Sequence, residues 1–125
     1  MSSEEIVQGQ LDAYNARDID LFMTFWSEEA LYFEHPSKLL ASGGDEIRAR
    51  QITRFEDPDL FGKLVKRVTI DNKVIDHEIV SRNFPAGSGS IEVMAIYEVI
   101  GSKVVKAWFI LGQPTIDPID HYNTL

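Results

Sequence analysis

The sequence predicts an α+β fold: three N-terminal helices packed on a strongly bent, mixed but mainly antiparallel sheet, with a pocket between the two layers. Three observations predict it. Gln10 to Phe55 carries helical apolar spacing, interrupted by one short extended run. From Lys63 onward the apolar period changes to two. The chain has 125 residues, of which 44% are hydrophobic, enough for one domain with a real core. Residues 1–125 are therefore read as a single domain.

Ser2 followed by Glu5 matches a capping box, and Val7, Leu11 and Tyr14 recur at i, i+4 and i+7 to form one apolar stripe. Gln10 flanks that stripe. Asp18 can cap a second helix with Leu21, Phe22, Phe25 and Trp26 on its buried side, ending at Ser27-Glu28-Glu29. Ala30 to His35 is a strand candidate that Pro36 stops. A loop runs to Gly43-Gly44, and Asp45 to Phe55 reads as a third helix with Ile47, Gln51 and Phe55 at helical spacing.

Residues 63–70 and 73–84 alternate as strands about an Asp71-Asn72 turn. Pro85 to Gly89 is a second turn, and 90–100 pairs with 103–111 about Gly101-Ser102. Residues 113–125, with Pro114 and Pro118, read as an irregular tail. In the last hairpin Ile91, Val93, Ala95, Tyr97 and Val99 share one face, while Met94, Ile96 and Ile100 share the other. Strict alternation in the final strand sets Val104, Trp108 and Ile110 against Val105, Ala107, Phe109 and Leu111. Both faces are largely apolar, and three helices cover only one. A homodimer through the outer sheet face is therefore expected, with cover by the C-terminal tail as the alternative.

Composition excludes several roles. A net charge of −8 repels phosphate backbones and anionic membrane surfaces, so neither nucleic acid nor membrane is expected as a partner. No apolar run approaches the ~20 residues that span a bilayer. The acidic N-terminus has no apolar signal core, and the chain has no cysteine; both fit a cytoplasmic protein. No metal site is expected, because the histidines at 35, 77 and 121 have no paired spacing. No cofactor is expected either: Gly87-Ser88-Gly89 lies between strands, without the helix N-terminus that binds phosphate.

The run Ala13-Tyr14-Asn15-Ala16-Arg17-Asp18-Ile19-Asp20 resembles the NTF2-like superfamily, which holds SnoaL-like cyclases and ketosteroid isomerases. So do Trp26-Ser27-Glu28-Glu29-Ala30, Gly43 with Ile47, and Lys103-Val104 leading to Ala107-Trp108-Phe109. The resemblance covers residues 6 to about 112. It implies a cone with a ligand cavity, commonly dimeric. The fold hosts isomerases, dehydratases, cyclases and non-catalytic adaptors, so it does not by itself name a reaction.

The isomerase template uses a carboxylate base near the end of the first strand and an oxyanion hole of a tyrosine and a protonated aspartate. A gapless match from Gln10 to Phe55 puts Glu34 at the base position, and alignment on the strand-ending proline puts His35 there. The tyrosine position falls on Gln10, one turn before Tyr14, and the second acid position falls near Ala95. The oxyanion hole is thus not reproduced, and a ketosteroid isomerase proper is not expected.

The candidate catalytic residues are Glu34, His35 and Tyr14. A carboxylate at an apolar cavity has its pKa raised and serves as a base near neutrality, where histidine already titrates. Gln10, Trp26, Tyr32, Gln51, Tyr97 and Trp108 are candidate ligand contacts; aromatic residues at such spacings are more often part of a core, and a cavity wall is also core. Arg50 and Arg54 share a helix face, either turned inward to hold a carboxylate or enolate, or solvated and paired with Glu46 and Glu56. Asp76, Glu78, Val80 and Arg82 share a strand face. Asp76 and Glu78 could form a general-base pair inside the cone, or ion pairs with Lys66 or Arg67 across the strands.

Two functions stay open. One is binding of a small, partly apolar molecule with cofactor-free acid–base chemistry next to a carbonyl, of isomerase, dehydratase or cyclase type. The other is a non-catalytic ligand-binding or dimerisation module.

Overall fold

A computed structural model describes residues 1–118; residues 119–125 of the expected tail lie outside the described residues. The first helix, α1 (Ser3–Asn15), opens with the capping box read from sequence: Glu5 N donates to Ser2 Oγ at 3.1 Å and Ser2 N to Glu5 Oε1 at 3.0 Å. It buries Ile6, Val7, Gln10, Leu11 and Ala13.

The second helix, α2 (Ile19–Thr24), is capped by Asp18, whose carboxylate accepts from Leu21 N at 3.1 Å. It is shorter than its apolar pattern suggests. Leu21 is 46% exposed, and Trp26 to Glu29 are not helical but begin β1 (Trp26–Glu34). The reason is tertiary. Val104 N donates to Phe25 O at 2.8 Å and Lys103 Nζ to Thr24 O at 2.6 Å, so the chain leaves the helix to join a neighbouring strand.

The stretch read as a loop before Gly43 contains a second short strand, β2 (Lys38–Ser42), antiparallel to β1. Gly43, at φ +87°, turns the chain into α3 (Gly44–Phe55), which buries Ile47 and Gln51. Glu46 accepts from Ser42 N at 2.8 Å and does not pair with Arg50.

The remaining strands are β3 (Phe61–Ile70), β4 (Lys73–Phe84), β5 (Gly87–Ile100), β6 (Lys103–Leu111) and β7 (Thr115–Ile116). The open sheet runs β2-β1-β6-β5-β4-β3; β1 and β6 are parallel and the other pairs antiparallel. Irregular register in the β1–β6, β5–β6 and β3–β4 pairs bends the strands there. The tail is not wholly irregular: Thr115 and Ile116 pair with Ser90 and Gly89. A Cβ on Gly89 would stand 2.2 Å from Thr115 O, so only glycine admits this close approach.

The inner sheet face follows the reading for β5, with Ile91, Val93, Ala95, Tyr97 and Val99 all buried. The last strand departs from it. A register shift between Glu98 and Val99 breaks the alternation, so Val104 and Ala107 are both fully buried. Trp108 lies on the outer face, stacked on Phe33 at 5.9 Å. Met94 (40% exposed) and Ile110 (42%) also stand on that face, which is partly open among the described residues. No helix among the described residues is long and apolar enough to cross a membrane.

Two clusters form the core. One lies under α1 and α2 around Phe22, Trp26 and Val104, the other around Leu60, Val80, Ile91 and Val93. Tyr14, Phe55 and Phe109 pack against both, and the space between the clusters is where the cavity opens.

Candidate functional site

A cavity of about 120 Å³ lies between the inner sheet face and the three helices. Its aromatic wall is continuous: Tyr32 stacks on Phe109 at 4.4 Å, Tyr97 meets Phe109 edge-on at 6.0 Å, and Trp26 lies against both tyrosines. From α1 come Gln10 and Tyr14, from α3 Arg50, Gln51 and Arg54, and from β4 Glu78, Val80 and Arg82. These positions follow from periodicity. Gln10 and Tyr14 are one turn apart, as are Arg50 and Arg54, while Glu78, Val80 and Arg82 alternate along one strand face.

Glu78 is the chemically distinctive member. It is 6% exposed, it has no cationic partner within ion-pair distance among the described residues, and its carboxyl is pushed up to about 7. Burial is the main cause; the nearby charge of Asp76 adds to it, and Arg67 opposes it. Its carboxylate needs room, and Gly62 leaves it: a Cβ there would stand 3.0 Å from Glu78 Oε1. Asn15 fixes that glycine from both sides, donating to Gly62 O at 2.9 Å and accepting from Gly62 N at 2.7 Å.

Asp76 is not available as a second base. It is fully buried, and Arg67 holds it in a two-pronged ion pair at 2.7 and 2.9 Å while also donating to Gln8 at 2.9 Å. Of the two alternatives open for Asp76, the structure realises the cross-strand pair with Arg67.

The tyrosines are donors. Burial raises the Tyr14 hydroxyl well above its ordinary range, and the charge of Tyr32 acts in the same direction. Burial likewise raises Tyr97, with Glu78 and Asp76 pushing the same way. Tyr32 is raised by burial, against the pull of Arg50 and Gln51. All three stay protonated near neutrality. Gln10 Nε2 donates to the Tyr97 hydroxyl at 3.3 Å. The indole Nε1 of Trp26 is buried without a hydrogen-bond partner, an open donor on a wall residue.

The structure brings Tyr14, Gln10, Trp26, Tyr32, Arg50, Gln51, Arg54, Glu78 and Tyr97 together at the cavity. It leaves out three residues. Glu34 shares Tyr32's side of β1 but is the last residue of the strand, beyond the cavity wall. His35 is exposed, and its backbone N donates to Phe109 O at 2.9 Å. Trp108 faces away, as its stack on Phe33 requires. Arg82 was not among the expected ligand contacts, although its strand parity with Glu78 was visible in the sequence.

No family model and no curated protein sequence matches this chain. Solved structures do. An uncharacterised cystatin-fold protein from Novosphingobium aromaticivorans is similar with a TM-score of 0.80 at 21% identity, over 88% of this chain and 98% of that one. A SnoaL-like polyketide cyclase from Agrobacterium tumefaciens gives 0.76 at 16% identity, over 90% and 93%. A protein of ketosteroid isomerase-like fold from Catenulispora acidiphila, in complex with trimethylamine, gives 0.73 at 11% identity, over 84% and 83%. The chain has the NTF2-like fold of these proteins.

Proposed function

We propose that this domain binds a small, partly apolar molecule in the cone cavity and performs cofactor-free proton transfer next to a carbonyl. Glu78 is the group that takes and returns the proton. The observation that carries this reading is a single carboxylate, buried in an aromatic cavity with no cation within ion-pair distance among the described residues, and titrating near neutrality. A general base works best when its pKa lies near the working pH. At neutral pH about half of Glu78 would be ionised, ready to abstract a proton, and the protonated half ready to give one back.

Abstraction of a C–H proton next to a carbonyl moves the electron pair to the carbonyl oxygen, which becomes an enolate. Tyr14 and Tyr97 are protonated donors near Glu78, and Trp26 Nε1 is unpartnered. Donors placed in a dry site lower such a barrier by about 3–4 kcal/mol each. Return of the proton from Glu78 to a different carbon gives an isomerase. Loss of a leaving group from the enolate gives a dehydratase. The SnoaL-like cyclase among the structural neighbours is compatible with this chemistry through its fold.

The test is hydrogen–deuterium exchange, followed by NMR, across a panel of ring-sized ketones and keto acids in heavy water. Faster exchange with the wild-type chain, lost in Glu78→Gln and retained in Glu34→Gln and His35→Gln, is the expected result. Binding without any acceleration would mean a non-catalytic ligand-binding module. Acceleration that survives Glu78→Gln would remove Glu78 from the mechanism.

A further inference from the structure

We propose that the ligand of this cavity is a carboxylate with a body of about one ring, its carboxylate held at the mouth by Arg54 and Arg82 with Arg50 beside them. This deepens the proton-transfer reading and rests on the same cavity.

The argument starts from charge. The chain carries 20 acidic and 12 basic residues, so an arginine readily finds a partner. Arg48 reaches Asp20 at 2.5 Å and Arg67 holds Asp76. Arg50, Arg54 and Arg82 do otherwise. They arrive from two separate elements, α3 and β4, and line both the cavity and the shallow depression outside it. None of them is within ion-pair distance of a carboxylate among the described residues. The charge of Arg54, after burial, lowers the proton affinity of Arg82, as expected for like charges crowded together. Such crowding in an acidic protein is unfavourable until an anion enters.

The acids that face this cluster form no ion pair with it, although the charge of Asp57 partly offsets that of Arg82. Asp57, at the outer depression, accepts from Asn83 N at 2.7 Å and from Asn83 Nδ2 at 2.9 Å. Glu78 lies inside the cavity with Tyr14 and Tyr32 also facing it. Two of the guanidiniums sit against aromatic rings: the central carbon of Arg50 is 5.4 Å from the Tyr32 ring centroid, and that of Arg82 is 4.2 Å from the Phe84 centroid. Contact with a ring restrains each guanidinium, and with no carboxylate of the described residues in ion-pair reach their N–H groups can meet a carboxylate in the two-pronged manner arginine favours.

Size and polarity fix the orientation. A benzene-sized molecule occupies an apolar cavity of about 150 Å³, and this one is about 120 Å³ with an open mouth. It therefore takes one ring-sized body, with the charged end outside. The reverse pose would set a carboxylate against Glu78, two like charges in a dry site.

The test compares phenylacetate with the isosteric, neutral phenylacetamide by titration calorimetry on the intact chain, with benzyl phosphate as a third probe. Phenylacetate is expected to bind about tenfold or more tightly than the amide. That preference should vanish in Arg54→Gln and in Arg82→Gln, shrink with added salt, and persist in part in Arg54→Lys. Thermal melts identify any variant that fails to fold, and each of the two glutamine variants tests the idea without the other. Equal binding of acid and amide would overturn the arginine assignment while leaving the cavity reading intact. Binding of neither would overturn both. A preference that survives both glutamine variants, or tighter binding of benzyl phosphate, would overturn the carboxylate seat.

Discussion

Asp76 and Glu78 are two residues apart on one face of β4, both nearly inaccessible to water, and they live in opposite electrostatic worlds. Asp76 meets a guanidinium in an ideal fork across the ladder, because the β3–β4 register sets Arg67 directly opposite it. Glu78 is opposite Leu64 on one side and Val93 on the other. One buried carboxylate is matched by its neighbours and holds two strands and α1 together. The other is left unmatched, and burial raises its proton affinity. The pairing of Asp76 with Arg67 does not cancel its charge at Glu78, where Asp76 still adds to the effect of burial and Arg67 opposes it.

Breaking the unmatched side should have the largest effect. Glu78→Gln removes the proton acceptor while keeping shape, and should slow exchange of an enolisable ligand by ~10²–10⁴-fold. Asp76→Asn should change the rate far less; a comparable loss would erase the distinction between the two acids. Breaking the matched side comes next. Arg67→Met leaves Asp76 buried and uncompensated, and should lower unfolding free energy by about 3–5 kcal/mol in a denaturant titration. Adding Asp76→Asn should recover part of that loss, because no charge then remains buried. A double variant no better than Arg67→Met would mean that Arg67 acts through its packing instead.

A third effect has a pH signature. Folding raises the Glu78 carboxyl from 4.5 to about 7, so between those values the folded state binds more protons than the unfolded one. Stability therefore falls as pH rises through that window, and the full penalty stands above it. At roughly 1.4 kcal/mol per pH unit the penalty is about 3 kcal/mol. Glu78→Gln should thus be more stable than wild type by about that amount at pH 8 and nearly equal to it at pH 4. A variant less stable than wild type at both values would show that Glu78 is matched after all. The same substitution is thus expected to abolish activity and to stabilise the fold, the behaviour of a residue kept for chemistry.

The sequence reveals one side of this contrast more readily than the other. Alternation along 73–84 places Asp76, Glu78 and Arg82 on one face, and the Asp71-Asn72 turn fixes the hairpin. The capping box at Ser2 and the stripe through Val7, Leu11 and Tyr14 announce α1, which carries Gln10 and Tyr14 to the cavity. Which acid is matched depends on cross-strand register, and strand periodicity alone does not select Arg67 over Lys66. The break in register beside Val104, the strand onset at Trp26 and the short strand after Pro36 come from pairing with distant residues, so local spacing misassigns them. The isomerase resemblance points to Glu34 and His35, but the cavity ends before them, and this chain carries its buried acid on β4 instead.

The smallest effect refines the matched side. Gln8 Oε1 accepts from Arg67 Nη1 at 2.9 Å, and Gln8 Nε2 donates to Asp12 at 2.8 Å, so α1 orients the guanidinium that neutralises Asp76. The bond is a single neutral acceptor on a partly exposed side chain, and the ion pair keeps both its prongs without it. Gln8→Ala should therefore lower unfolding free energy by only about 1 kcal/mol. Because Arg67 stays on Asp76, the charge felt by Glu78 is unchanged, and the pH at which stability falls should not move. A loss as large as that of Arg67→Met would mean that the fork depends on α1 for its geometry. A displaced pH midpoint would mean that the proton affinity of Glu78 is set as far away as the first helix, and the two carboxylates would then be one coupled unit.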